Sequence, residues 1–106
     1  MIVADHGHRF PKATSRFEDY KIPMFWTGGA IKKYATLDIL LSQVDISKMM
    51  LNHFNLKDSA YNWSKNPLIK GQPQWAFFTF NNGFGFVEST GRLLYDNTGS
   101  KVLVLE

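Results

Sequence analysis

The chain opens on a short apolar run, Met1-Ile2-Val3-Ala4, that passes directly into Asp5-His6-Gly7-His8. A continuous apolar run of this kind predicts a buried strand whose C-terminal tip carries polar groups. Residues 9–21 mix aromatic and charged positions around one proline without a clean period, which predicts a long loop carrying at most a helical turn. Loops of that length are uncommon in compact domains and often cover active sites. A second apolar run, Ile22-Pro23-Met24-Phe25-Trp26-Thr27, predicts another strand, stopped by Gly28-Gly29.

The clearest helical period begins near Ser42. Ser42-x-x-Asp45 has the spacing of an N-terminal capping box, with Asp in place of the usual Glu, and the acid would meet the positive end of the helix dipole. Val44, Ser47, Met50, Leu51 and Phe54 fall on one side, Ile46 and Met49 widen the stripe, and Asn55 supplies a left-handed stop. Core packing accounts for these Met and Phe residues. From residue 75 onward, short aromatic or branched runs (75–80, 84–88, 92–95 and 101–105) alternate with turns. The turns are Asn81-Asn82-Gly83, Ser89-Thr90-Gly91 and residues 96–100, and Asn-Gly is read as the source of the positive φ that tight hairpins demand. The order predicts an α/β start with an antiparallel β-meander at the end, in a single domain over residues 1–106.

Composition narrows the classes. A chain of 106 residues can bury roughly two-thirds of its unfolded surface in one core. Aromatics at 15% and a net charge of +3 argue against disorder. The absence of Cys excludes a disulfide framework, a Cys-ligated metal and a thiol nucleophile. No apolar run approaches the ~18–20 residues that span a bilayer, and the opening residues lack the order of a secretory signal. Basic residues are spread along the chain with acids between them, which favours a solvated surface over a phosphate-tracking stripe.

One motif raises RNA binding as an alternative. Gly83-Phe84-Gly85-Phe86-Val87 matches the centre of the RNP1 signature, in which strand aromatics stack on bases. Asn82 stands where a cation should meet phosphate, Ser89 where the last aromatic should be, and Gly91, Asn97 and Gly99 leave no room for the helix that must follow. The balance is therefore against a nucleic-acid partner. A non-catalytic interaction domain is a third reading.

Asp5-His6-Gly7-His8 is the densest cluster of metal-capable side chains in the sequence. Open α/β sheets bind ligands beyond the carboxyl ends of their strands. An Asp oxygen and a neutral His nitrogen together suit Zn²⁺ or Mn²⁺, and Gly7 is read as the residue that lets the backbone turn so that the two converge.

The ordered set of motifs resembles the C-terminal part of the sulfatase and alkaline-phosphatase superfamily, in its lipoteichoic acid synthase or phosphoglycerol transferase-like branch. Val3-Ala4-Asp5-His6-Gly7 looks like that family's strand followed by Asp-His-Gly, and Tyr20-Lys21-Ile22-Pro23-Met24-Phe25 like its next strand. Ser42-Gln43-Val44-Asp45-Ile46 resembles the start of the helix that follows, and Trp63-Ser64-Lys65-Asn66-Pro67-Leu68 the segment after it. The resemblance implies a partial alkaline-phosphatase-like sheet with one main helix and the terminal meander. It implies Asp5 and His6 as ligands of a divalent metal (Mn, Zn or Ca) and His8 as a substrate contact. In such enzymes the metal acidifies a hydroxyl nucleophile and stabilises charge on the transferred phosphoryl or sulfuryl oxygens.

None of the Ser or Thr residues here sits in a recognisable nucleophile motif. The expectation is therefore a C-terminal fragment of a sulfatase or phosphotransferase (hydrolase) acting on anionic sulfate or phosphate esters, with the nucleophile absent and the metal weakly held. The parent is expected to be membrane-anchored with an extracytoplasmic catalytic domain, and the fragment soluble. Sheet surface left exposed is expected to drive self-association.

Overall fold

The structure, a computed structural model, describes residues 1–7 and 14–106, which divide into two compact units, Met1–Leu37 and Asp38–Glu106. The architecture of the described residues is mixed α/β: two helices, a two-stranded sheet and an open four-stranded antiparallel sheet.

In the first unit, β1 (Ile2–Val3) pairs antiparallel with β2 (Met24–Phe25), Ile2 opposite Phe25 and Val3 opposite Met24. Ala4 N–H donates to the Pro23 carbonyl at 3.2 Å and continues the ladder by one residue. Both strands are shorter than their apolar runs, and Ile2 and Phe25 are exposed. The expected burial of β1 is thus corrected, because a two-stranded ladder covers neither of its own faces. The loop between them contains α1 (Arg16–Asp19), a single turn that buries Phe17 and is flanked by a Glu18–Lys21 ion pair at 2.7 Å. This is the helical turn the aperiodic segment allowed.

In the second unit, α2 spans Asp45–His53 and starts later than the capping-box spacing predicts. Asp45 Oδ2 does accept from Ser42 N–H at 2.8 Å, which is the acidic half of such a box. The Ser42 hydroxyl, however, accepts from the Phe77 N–H at 2.6 Å and so ties the loop to the sheet rather than capping the helix. The buried face is also rotated from the expected stripe. Asp45 and Met49 point inward, while Val44 and Phe54 are exposed. The helix ends as expected: Asn55 has φ 54°, its N–H donates to the Asn52 carbonyl at 3.1 Å, and Leu56 N–H donates to Leu51 at 2.8 Å. That pair of bonds is a Schellman stop.

The meander is present as predicted. β3 (Trp75–Phe80), β4 (Gly83–Glu88), β5 (Gly91–Asp96) and β6 (Lys101–Leu105) lie in sheet order β3-β4-β5-β6, every neighbouring pair antiparallel. At the first turn Asn82, at φ 65°, takes the left-handed conformation, and Gly83 already belongs to β4 opposite Phe80. Gly83 is needed for space instead, since a Cβ there would strike the Tyr95 carbonyl and the Phe80 ring. At the last turn the Asp96 carboxylate accepts from Thr98 N–H at 3.1 Å and Gly99 N–H at 3.0 Å. One face carries Phe84 between Phe77 and Tyr95, with ring centroids 5.7 and 5.4 Å apart, and Trp75 beside Phe86 at 5.6 Å. The other face centres on Leu94, which is wholly buried.

Candidate functional site

Asp5 and His6 follow β1 directly, as the apolar-to-polar transition predicts. The Asp5 side chain is 90% exposed and the His6 side chain 75%, yet they converge: His6 Nε2 lies 3.6 Å from Asp5 Oδ1. His6 Nδ1 is 2.7 Å from the Gly7 carbonyl oxygen. A carbonyl can only accept, so Nδ1 carries the proton of this bond, and in the neutral ring Nε2 is the nitrogen left with a lone pair. Two donor atoms about 2.1 Å from one tetrahedral ion lie about 3.4 Å apart, so the observed separation suits shared coordination. A backbone carbonyl fixing the far nitrogen of the ring is the usual support of a His ligand. The pair therefore fits a divalent cation as far as two ligands go. Among the described residues no group of three His, Cys, Asp or Glu side chains comes together to complete a site. His8, the expected substrate contact, lies outside the described residues.

Gly7 has a different role from the one its sequence context predicts. It is not among the residues with positive φ, and the backbone needs no glycine for a sharp turn there. A Cβ at position 7 would instead collide with the Asp19 carbonyl oxygen, because the strand tip runs hard against the end of α1.

A second cluster was not legible as one in the sequence. Asp45, fully buried, accepts from Ser42 N–H at 2.8 Å, from Lys65 N–H at 3.0 Å and from the Lys65 ammonium. Lys65 is itself buried, with Nζ 4.0 Å from the centroid of the Trp75 ring. Ser64 Oγ accepts from Lys48 N–H at 3.1 Å, and Asn66 Nδ2 donates to Asn52 Oδ1 at 3.0 Å. Asn52 in turn donates to Asp58 at 2.9 Å. These bonds fasten residues 64–66 to α2 and to the first strand of the meander. Both Asp45 oxygens accept hydrogen bonds, which commits that carboxylate to holding the fold. A polar cavity of about 340 Å³ opens beside it, lined by Lys48, Asn62, Lys65 and Gln72 among others.

The RNP1-like strand is β4. Phe84 is flanked on both sides by other rings, and a two-residue turn leads straight into β5 where an RNA-recognition motif would place a helix. Among the described residues no helix is long and apolar enough to cross a membrane. Comparison of the chain with protein-family models, with curated proteins and with solved structures finds no match in any of the three.

Proposed function

We propose that this chain is the C-terminal part of a metal-dependent enzyme of the sulfatase or phosphoglycerol transferase type, and that Asp5 and His6 supply part of its metal-ligand set. The observation that carries the reading is the approach of Asp5 Oδ1 and His6 Nε2 to 3.6 Å at the end of β1, with Nδ1 turned to a backbone carbonyl. The order of motifs along the sequence adds support. The Asp45–Lys65 contact joins the two later segments that carry the resemblance. In this reading the first unit belongs to an alkaline-phosphatase-like sheet, and the nucleophile and remaining ligands come from residues outside this chain. A divalent cation bound there would supply Lewis-acid stabilisation of a sulfate or phosphate ester. Asp5 would bring negative charge to it and His6 a neutral nitrogen, and the Gly7 carbonyl would keep the ring turned to the ion.

The test is a titration of the chain with Zn²⁺ and with Mn²⁺, followed through the backbone amide resonances of Ala4, Asp5 and Gly7, which the wild type and both variants below can report between them. Weak saturable binding is expected, because a site with two protein ligands is open and affinity follows ligand number. Asp5→Ala and His6→Ala should each weaken it by tenfold or more, an effect of the size seen when ligand support is lost. Equal binding by the wild type and both variants would remove the pair from any metal site. The chain alone should not turn over aryl phosphates or sulfates, and metal-dependent turnover would show that it carries its own nucleophile.

A further inference from the structure

β6 is an edge strand: among the described residues no other strand pairs with its outer side, and Val102, Leu103 and Leu105 are 51%, 39% and 76% exposed. An apolar edge of this kind presents unpaired N–H and C=O groups to any strand able to match them. Which of its backbone groups point outward follows from the ladder. Arg92 and Glu106 exchange both backbone bonds at 3.0 Å, so Glu106 bonds inward and its neighbour Leu105 bonds outward. Asn97 N–H donates to the Asn82 carbonyl at 2.7 Å, which turns Asn97 and, by alternation, Tyr95 toward β4. Val102, the β6 partner of Tyr95, therefore also bonds outward.

A register shift between Leu94 and Tyr95 makes Val104 the partner of Leu94 and Val102 the partner of Tyr95, leaving Leu103 as an extra residue. It changes the facing of the strand. Val102 and Leu105 now lie on one face, opposite Tyr95 and Leu93, while Lys101 and Glu106 lie on the other, opposite Asp96 and Arg92. In a strand of unbroken alternation Val102 and Leu105, and likewise Lys101 and Glu106, would fall on opposite faces, and the bulge is what brings each pair onto one.

The geometry points to antiparallel pairing of β6 with β6 of a second copy of this chain, with Val102 of one copy opposite Leu105 of the other. Two antiparallel edge strands are related by a two-fold axis perpendicular to the sheet, which keeps each face on its own side, so residues opposite one another must share a face. Val102 and Leu105 meet that condition, and their outward backbone groups form a bonded pair twice over. In the same register Lys101 of each copy stands opposite Glu106 of the other, on one face. Glu106 Oε2 meets Arg92, and in this pairing Oε1 is the acceptor for the incoming ammonium. The strand Lys101-Val102-Leu103-Val104-Leu105-Glu106 is complementary in charge to its own reversal, which selects a second copy over an unrelated peptide.

The experiment is light scattering and sedimentation of the whole chain across a wide concentration range. A monomer–dimer equilibrium is expected for the wild type. Lys101→Glu and Glu106→Lys each set like charges opposite one another at both ends of the pairing and should weaken association roughly tenfold. An equimolar mixture of the two variants should recover it, because every contact then joins Lys to Glu. Leu105→Pro removes an outward N–H and should give a monomer with the β5 ladder intact. Should a variant fail to fold, wild-type hydrogen exchange decides: the Val102 and Leu105 amides slow as concentration rises. The proposal is overturned if the wild type stays monomeric, if both charge variants associate as tightly as the wild type, if the mixture gains nothing, or if those amides exchange independently of concentration.

Discussion

Asp45→Ala lowers the stability of the Asp38–Glu106 unit by about 3–5 kcal/mol, the cost of removing one partner from a buried ion pair. Its carboxylate takes donors from two backbone N–H groups and from the Lys65 ammonium, and both side chains are withdrawn from water. Alanine leaves the ammonium against the Trp75 ring with no anion and strands the Ser42 and Lys65 amides. Lys65→Met costs less, because the stem is replaced by one of similar length and Asp45 keeps its two backbone donors. The double variant recovers part of the sum, so a double-mutant cycle in urea reads a coupling of about 1–3 kcal/mol. A cost for Asp45→Ala below about 1 kcal/mol would place the pair among solvated surface contacts and contradict its burial.

Leu94→Ala is the second large effect, at about 2–5 kcal/mol, the range for a leucine removed from a closed core. Leu94 is wholly buried on a central strand and stands opposite Gly85. Gly85 cannot fill the vacancy, and the Phe78 ring already lies across it so closely that a Cβ there would strike its far edge. The ring can tilt toward the gap only by giving up that contact, so collapse is partial and the cavity persists. The measurement is the denaturant midpoint at unchanged m-value. A loss under about 1 kcal/mol would mean that the sheet face around Leu94 repacks freely.

Where a local rule decided the backbone, the sequence was a sufficient guide. The meander follows from short β-prone runs between turns, and Asn55 ends α2 through the left-handed conformation its side chain tolerates. The polar tip after Val3 also stands where the pattern puts it. What stayed hidden depends on partners distant in the chain. Ser42 has the spacing of a cap, yet its hydroxyl serves Phe77, 35 residues away. A lone lysine in a polar segment reads as solvated, and only the fold reveals that Lys65 is buried beside Asp45, 20 residues earlier. Asp45 therefore turned inward and rotated the buried face of α2 away from the apolar stripe. Gly7 and Gly83 were legible as glycines that mattered, but in both cases crowding by a distant backbone carbonyl is the reason, and sequence spacing carries no sign of that.

The strand order has a kinetic consequence. Each strand of the meander pairs with the next one along the chain across a turn of a few residues, so contact order within the sheet is low and loop closure costs little entropy. The bonds from Ser42 to Phe77 and from Asp45 to Lys65 must each close a much longer loop. The expected order is early hairpins, with α2 fastened to them late, after the folding barrier. Substitutions in β4 and β5 would slow refolding, whereas changes at Asp45 and Lys65 would chiefly quicken unfolding, a partition that chevron kinetics resolve.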